Sequence, residues 1–402
     1  MKYLILGAGA AGLSFANALK LKGESSFLVL ERESEAGGLC RSVEVDGAPI
    51  DIGGGHFLDV RRPKVNAFLF QFMPETEWNK FNRISKICLN GNYIDHPIEA
   101  NIWLMPQSEQ VEYLKSIAIA GCNIGKQMPS KFTEWIYWKL GKKIADEYMI
   151  PYNQKMFGDE LNLLGTYWLD KLPNVSFDET LLSCLDKKPY GSQPGHAEFY
   201  YPKKYGYGEL WKRMANNISQ NILYKKTVHS IDFNTKTVTT EDGNEYKADC
   251  IITSIPWTSI NNLVGMPDEI RTSVKQLKHT SVQIEYIPDK LDTKAHWIYY
   301  PDLKLTYHRI LVRGNFYING KGYWTETNLN RVSDERNTKT FSYINKYAYP
   351  LNTISKPDIM KKLLGWCKNQ NVYAIGRWGE HNHYNSDQTV ELAIKMVDKI
   401  IN

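Results

Sequence analysis

The sequence has no marked excess of charge of either sign. Its 402 residues include 23% charged residues and carry a formal net charge of +5. Proteins that bind nucleic acid, or that adhere to membranes through basic residues, concentrate positive charge in a patch or stripe. The mild, scattered charge therefore predicts no nucleic-acid partner, while a small anionic substrate remains compatible with it.

Cysteines are few and long apolar runs are missing. The six cysteines include no Cys-x-x-Cys pair and no spacing typical of metal ligands, so we expect reduced thiols, a cytoplasmic location and no metal site. No segment approaches the roughly twenty apolar residues that cross a bilayer, so we expect no membrane span. The first predicted strand begins at residue 3, which leaves no room for a signal peptide.

A dinucleotide-binding fingerprint occupies the start of the chain. Apolar residues 3–6 and 27–30 predict two buried strands with a helix between them. Gly7, Gly9 and Gly12 follow the first strand, and Glu31 lies 19 residues after Gly12. In this pattern the first glycine permits a tight turn, the second lets a pyrophosphate approach, and the third lets helix and strand pack closely. Glu31 is expected to bind ribose hydroxyls.

A second glycine pair follows the acidic residue. Gly37 and Gly38 precede Arg41, and this extension resembles flavoproteins of the glutathione-reductase superfamily, in which it continues around FAD. The resemblance implies FAD, with Gly38 and Arg41 among its ligands. A nicotinamide-binding fold and a Rossmann unit without a ligand are the alternatives.

A glycine-rich loop comes next, at Gly53–Gly54–Gly55–His56. Consecutive glycines suit a backbone that lies against a flat ring, and His56 could face the same ring. Gly54, Gly55 and His56 are therefore candidate flavin contacts. The alternative is a flexible turn with a surface histidine.

The remaining pattern predicts an α/β protein of three parts. Residues 1–95, 195–265 and 365–402 are assigned to a discontinuous Rossmann-like FAD-binding domain. Residues 96–194, with helical and aromatic-rich texture, are assigned to an inserted helical domain. Residues 280–330 alternate strongly between apolar and polar side chains, so residues 266–364 are assigned to an antiparallel-sheet substrate domain.

Separated motifs carry a second, more specific resemblance. They are Gly53–His56, His96–Pro97, Pro151–Asn153 with Trp168–Leu169, Trp297–Pro301 with Tyr307–Arg309, Tyr349–Pro350, and Gly376–Gly379 with Asp387–Gln388. Together they resemble the UDP-galactopyranose mutase family, its eukaryotic branch more than its bacterial one.

The resemblance implies an enzyme without net redox chemistry. In that family, N5 of reduced FAD attacks the anomeric carbon of a nucleotide sugar, and the sugar recloses in the other ring size. It also implies an external reductant and a role in surface-glycan synthesis. The sugar, the base and the oligomeric state, a homo-oligomer included, stay open.

The same resemblance assigns site residues. Arg309, His56 and Gly55 form the implied catalytic set. Tyr299, Arg309 and Tyr349 would bind the diphosphate, since the planar fork of arginine matches phosphate oxygens. The other implied substrate residues are Asn153, Trp168, Lys171, His96 and Glu99, and the other implied cofactor residues are Val228, Gly376, Arg377, Asp387 and Gln388.

The chain departs from the family pattern at two places. A second diphosphate arginine is replaced by Leu172, with Lys171 beside it. Near the base pocket stand His96, Ile98 and Glu99, and an ionised carboxylate cannot donate a hydrogen bond. Two other classes therefore stay open: an FAD-dependent oxidoreductase of the amine-oxidase or protoporphyrinogen-oxidase kind, and a flavin-binding protein without catalysis.

Overall fold

The computed structural model describes residues 1–123, 125–169, 172, 175–191, 197–332 and 340–401. The α-helices in these ranges are α1 Ala10–Leu21, α2 Pro63–Leu69, α3 Ile98–Asn101, α4 Gln107–Gly121, α5 Phe132–Ile144, α6 Ile150–Phe157, α7 Phe177–Asp186, α8 Gly208–Asn217, α9 Asp268–Val274, α10 Lys356–Asn369, α11 Gly376–Gly379 and α12 Ser386–Ile401. The strands are β1 Tyr3–Leu6, β2 Phe27–Leu30, β3 Ser42–Val45, β4 Ala48–Asp51, β5 Leu58–Asp59, β6 Trp78–Asn82, β7 Ser85–Leu89, β8 Asn92–Asp95, β9 Glu198–Pro202, β10 Ile222–Leu223, β11 Val228–Asp232, β12 Thr237–Thr240, β13 Glu245–Lys247, β14 Cys250–Thr253, β15 Asn262–Val264, β16 His279–Ile287, β17 Trp297–Tyr299, β18 Arg309–Val312, β19 Tyr323–Asn328, β20 Ser342–Pro350 and β21 Val372–Ala374.

A five-stranded parallel sheet confirms the dinucleotide-binding pattern. Its strand order is β10-β2-β1-β14-β21, and all its pairings are parallel. Alternate side chains of β1 enter different cores: Tyr3 and Ile5 pack in one cluster and Leu4 and Leu6 in another. A strand buried on both faces is expected to be a continuous apolar run, which is why the sequence revealed β1 so clearly.

A seven-stranded mixed sheet forms the second layer, in the order β20-β16-β19-β18-β17-β7-β8. A hairpin at Asn90–Gly91, a dipeptide typical of such turns, joins β7 and β8. These residues belong to the predicted segment 1–95 of the FAD-binding domain, and β7 pairs in parallel with β17 of the seven-stranded sheet. Such long-range pairing leaves no local signal, because alternation predicts a strand and not its partner.

Helices fill most of the segment between β8 and β9. α3 to α7 surround an apolar cluster that includes Tyr113, Phe132 and Trp135. At the other end of the chain, α10 continues from residue 356 to 369, across the predicted domain boundary at 364/365. The three-domain division remains an interpretation of the sequence.

The architecture is therefore an α/β fold with mixed sheets. Among the helices described, none is both long enough and apolar enough to cross a membrane. The described ranges also contain no cluster of three or more metal-ligating side chains.

Candidate active site

A cavity of about 500 Å³ opens at the carboxyl ends of β1 and β2. Most of the predicted cofactor residues line it: Gly7, Gly9, Glu31, Gly38, Arg41, His56, Val228 and Arg377. The carboxyl edge of a parallel α/β sheet is the general position for such ligands. The structure thus brings together residues that are up to 370 positions apart in the chain.

The glycines of the fingerprint have the geometry that the motif requires. Gly7 has φ of +96°, which favours glycine, and a Cβ on Gly12 would lie 1.9 Å from the Gly7 carbonyl oxygen. A Cβ on Gly38 would lie 3.2 Å from the Gly9 Cα. Gly9 and Gly38 therefore form two facing, side-chain-free walls, a shape that admits a pyrophosphate against the backbone.

Glu31 lies buried at the end of β2, in the wall of the cavity. Its carboxylate accepts the N–H groups of Ala8 at 2.7 Å and Glu33 at 2.9 Å. Burial raises the pKa of this carboxyl. The two amides fix its orientation, so the strand end presents a positioned acceptor at the place where a ribose is expected.

Arg41 joins the fingerprint to the second sheet. Its guanidinium donates to the Gly38 carbonyl at 3.1 Å and to the Tyr343 hydroxyl, on β20, at 2.6 Å. It also lies 3.6 Å from the Glu33 carboxylate. β20 therefore forms one side of the cavity, which sequence reasoning did not include in the cofactor site.

The Gly54–His56 loop lies where the cavity meets β18 and β19. The Gly55 N–H donates to the Glu326 carboxylate at 3.0 Å, and a Cβ on Gly55 would lie 2.1 Å from the Leu311 Cδ2. The His56 Nδ1 lies 2.9 Å from the Gly54 carbonyl and its ring stacks with Tyr207. Burial, followed by the charge of Arg377, lowers the pKa of His56 to about 4, so this ring is neutral at physiological pH.

The C-terminal residues predicted to serve the cofactor fall in two groups. Arg377 lines the cavity and donates to the carbonyls of Tyr384 and Ala348. Gly376 lies against α1, since its Cβ would be 2.5 Å from that of Ala11. Asp387 and Gln388 are outside the cavity lining: buried Asp387 pairs with Arg62, and Gln388 accepts the Asn385 N–H at 3.1 Å. Their neighbours Ser386 and Thr389 line the cavity instead.

Arg309 forms a buried ion pair beside the glycine loop. Its Nε and Nη2 donate to one oxygen of Glu326 at 3.0 and 2.6 Å. The Glu326 side chain is fully buried and that of Arg309 is 20% exposed. Burial, the largest single effect, would raise the pKa of Glu326, but the charge of Arg309, together with His308 and the Gly55 N–H, lowers the pKa to about 2. Burial likewise opposes ionisation of Arg309, yet Glu326 raises its pKa.

Three tyrosines accompany this arginine. Tyr299 and Tyr152 contact each other edge to face, with ring centroids 5.4 Å apart. Tyr349 lies near Arg377, whose guanidinium is 5.8 Å from the ring centroid. Burial raises the pKa of both Tyr152 and Tyr349, so these hydroxyls remain protonated donors. The cluster combines a cation with phenolic donors, an arrangement that binds phosphate oxygens.

Arg83 is a second cation at this place, and sequence reasoning missed it. Its guanidinium donates to the Tyr299 hydroxyl at 3.2 Å and lies 4.9 Å from the Trp297 ring. It also lies 3.2 Å from the His96 Nδ1. Arg83 stands alone before β7 with no motif around it, so only the parallel pairing of β7 with β17 could have indicated its position.

The predicted residues of the helical segment take different positions. The Asn153 side-chain amide donates to the Met149 carbonyl of the preceding turn at 2.7 Å. Trp168 donates to the Gly165 carbonyl and packs against Phe132 and Phe157. Leu172 packs against the same apolar cluster. These contacts indicate packing for Trp168 and Leu172; Lys171 lies outside the described residues.

His96 and Glu99 lie close to the tyrosine cluster. The His96 ring centroid is 5.1 Å from that of Tyr299. Burial places the pKa of His96 well below its usual value and raises that of Glu99 to about 7. A substantial fraction of Glu99 is therefore protonated at neutral pH, and a protonated carboxyl can donate a hydrogen bond.

Comparison with known proteins identifies the family. The sequence profile of the flavin-containing amine oxidoreductases matches residues 10–284. The chain belongs to this family. Membership implies FAD as the cofactor, and the glycine walls, the fixed carboxylate of Glu31 and the size of the cavity fit an extended dinucleotide.

Several solved structures share this fold. A reduced UDP-galactopyranose mutase is 21% identical with a TM-score of 0.89, over 100% of this chain and 93% of that one. A putative protoporphyrinogen oxidase from Exiguobacterium sp. 255-15 is 14% identical with a TM-score of 0.72, over 99% and 98%. Putrescine oxidase with bound putrescine is 13% identical with a TM-score of 0.61, over 100% and 98%. These similarities confirm the predicted likeness in fold to UDP-galactopyranose mutase.

A curated sequence matches a short part of the chain. An uncharacterized protein from the nifH2 3' region of Methanothermococcus thermolithotrophicus is 47% identical over 53 residues, which are 13% of this chain and 50% of that protein. The chain thus spans about half the length of this relative.

Proposed function

We propose that this flavoprotein is a nucleotide-sugar mutase that interconverts pyranose and furanose rings. The observation that carries the proposal is the grip formed by Arg309, Tyr299, Tyr152 and Tyr349 beside the Gly54–His56 loop. Arg309 supplies a planar cation, and Tyr152 and Tyr349 supply protonated donors near it. Such a set suits a diphosphate, the leaving group that a mutase must hold and return.

In the proposed mechanism, bound FAD in its reduced state supplies a nucleophile at N5. The residues of the chain do the rest: Arg309 and the tyrosines hold the diphosphate oxygens, and Arg83 adds positive charge through its contact with Tyr299. Neutral His56 lines the cofactor cavity, and Gly55, which has no side chain, lets the loop pack directly against Leu311. Stabilising a departing anion by positioned donors is the largest expected contribution to rate.

Arg83 can also take the role of the second diphosphate arginine, which is missing from the mutase pattern in this chain. Leu172 packs in an apolar cluster and offers no charge. Arg83, two residues before β7, donates to the hydroxyl of Tyr299 on the neighbouring strand β17 at 3.2 Å. On this proposal the two diphosphate cations are Arg309 and Arg83.

The second candidate is an FAD-dependent oxidoreductase of the amine-oxidase or protoporphyrinogen-oxidase kind, which the family and two similar folds favour. A tyrosine cluster can bind a cationic amine through ring faces. Arg309 and Arg83 oppose that use, because two guanidinium groups beside the rings repel a cationic substrate.

A substrate panel with reduced enzyme tests the proposal. Purified protein reduced with dithionite is incubated with UDP-, GDP- and dTDP-sugars, and the products are separated by chromatography; oxidised protein is the control. Conversion of one sugar nucleotide into an isomer of equal mass by the reduced sample alone supports a mutase. Oxygen-dependent oxidation of amines, without any isomerisation, contradicts it.

A further inference from the structure

Glu326 is a buried carboxylate that lies beside the grip of Arg309 and the three tyrosines and is not one of its members. It lies on β19 directly opposite Arg309 of β18 in an antiparallel pair. Its side chain is fully buried. A charge in such a position is costly unless it is paired and hydrogen-bonded, so its partners indicate what it does.

One oxygen of Glu326 is committed to Arg309. Nε and Nη2 of the guanidinium both donate to Oε2, at 3.0 and 2.6 Å. The His308 Nε2 lies 3.5 Å from the same oxygen. Arg309 thus directs two of its donors at an internal anion, and a diphosphate that approaches from the exposed side must share this guanidinium.

The other oxygen of Glu326, Oε1, binds the Gly54–His56 loop. Oε1 accepts the Gly55 N–H at 3.0 Å, and a Cβ on Gly54 would lie 2.8 Å from it. The next residue, His56, lines the cofactor cavity. One carboxylate therefore joins the arginine of the grip to the loop at the cofactor, through contacts of 3.0 Å or less on both sides.

We propose that Glu326 is an internal counter-anion of the substrate grip, which orients Arg309 and the Gly54–His56 loop and competes with the diphosphate for the guanidinium. Glu326 is a positioning residue in this proposal, since it acts through Arg309 and the Gly55 amide. The proposal rests on the function inferred above. The consequence is a moderate affinity for the diphosphate. Without Glu326, Arg309 would bind the diphosphate so tightly that its reattachment to the sugar and the release of product would be slow.

The test replaces the charge and keeps the shape. Glu326→Gln retains an acceptor for the Gly55 N–H and removes the anion beside Arg309. Titration calorimetry with pyrophosphate, which has no base, and with UDP should show binding tighter than the parent by about tenfold or more, as removal of one charge within a few ångströms predicts. The double variant Glu326→Gln/Arg309→Met should lose this gain and bind more weakly than the parent.

A second measurement separates electrostatics from packing. The midpoint potential of the bound flavin, measured by dye-coupled reduction, should become less negative in Glu326→Gln, because loss of a nearby negative charge favours the reduced cofactor. Glu245→Gln, an exposed carboxylate on β13, is the matched control and should leave both readouts unchanged. Glu326→Asp serves if the glutamine variant does not fold: it cannot reach both partners, so binding between that of the parent and tenfold tighter is expected.

The outcomes are distinguishable. If neither the parent nor the variants bind pyrophosphate or UDP, the proposed function fails and the competition fails with it. If the parent binds these ligands but folded, FAD-containing Glu326→Gln binds them equally or more weakly, only the present inference is overturned. Binding by Glu326→Asp weaker than that of the parent overturns it as well.

Discussion

On the proposed function, Arg309 is the residue on which substrate binding depends. Its guanidinium presents a planar fork, and its partner Glu326 keeps it charged and oriented. Arginine and lysine differ at such a position, because an ammonium group cannot make two parallel hydrogen bonds with fixed geometry. A lysine substitution therefore measures the contribution of the planar fork while the buried ion pair keeps its positive charge.

We expect Arg309→Lys to lower kcat/KM for the sugar nucleotide by roughly 10- to 100-fold, since one well-placed donor is commonly worth that much or more. Flavin content should stay at the parent level, because the charge that compensates Glu326 is retained. Steady-state kinetics and the flavin absorbance of the purified variant check both points. Arg271→Lys on α9, which pairs with nearby Asp268 on the surface, is the control; equal kinetics for Arg309→Lys and the parent would place the substrate elsewhere.

Glu99 provides a pH test at the same scale. Burial raises its pKa from 4.5 to about 7, so the folded protein binds this proton more tightly than the unfolded chain does. Stability from this group is therefore lost as pH rises from about 4.5 to about 7, by about 3 kcal/mol in total. Glu99→Gln should raise the thermal midpoint relative to the parent at pH 8 and change it little at pH 4.5.

Calorimetric or fluorescence melting at the two pH values measures this difference. Glu112→Gln on α4 removes an exposed carboxylate and should show no pH-dependent difference from the parent. A midpoint shift for Glu99→Gln that is equal at both pH values would mean that the carboxyl is not protonated in the folded protein.

At the scale of elements, the junction of β1 and α1 depends on a glycine at position 12. A Cβ there would meet the Gly7 carbonyl oxygen at 1.9 Å, which side-chain rotation cannot relieve because both atoms are fixed by the backbone. We expect Gly12→Ala to displace the start of α1 and to cost more than the roughly 1–3 kcal/mol of ordinary overpacking. FAD should be lost on gel filtration.

Gly365→Ala is the matched control for this change. Gly365 lies within α10 and a Cβ there has open space around it. Since alanine favours helices over glycine by about 0.5–1 kcal/mol, this variant should retain FAD and melt slightly higher than the parent. Retention of FAD by Gly12→Ala would show that the first turn does not hold the cofactor.

Elements also show where local patterns were sufficient. The strand limits Tyr3–Leu6 and Phe27–Leu30 and the helix between them agree with the sequence prediction. These elements carry their own signals, namely continuous apolar runs and helical periodicity.

At the scale of the whole molecule, the proposed mutase reaction involves no net transfer of electrons, so the flavin is reduced again at the end of each catalytic cycle. Turnover should require reduced flavin and yet consume no stoichiometric reductant. Product formed is counted by chromatography, and dithionite or NADH consumed is counted by absorbance in the same anaerobic vessel. Many products per reductant are expected, whereas one reductant consumed per product would favour the oxidoreductase candidate.

The chain by itself determined the cofactor end of this protein. The fingerprint at residues 7–12, Glu31 and Gly38 are close in sequence, and their spacing fixes a strand–turn–helix whose backbone geometry is local. For that reason the amino-acid sequence alone was sufficient to predict FAD and several of the residues that line the cavity. The resemblance to the mutase family likewise singled out Arg309, Tyr299 and Tyr349, because each stands beside other residues of its motif.

Tertiary structure decided the rest. Arg83 reaches Tyr299 only because β7 pairs with β17, and Glu326 reaches both Arg309 and Gly55 only because β18 and β19 pair in one register. Neither strand pairing nor register is encoded by a local pattern, since a shift of one residue would turn each side chain to the other face. Burial acts in the same way: the neutral His56 and the partly protonated Glu99 owe their protonation states to surroundings that distant segments supply.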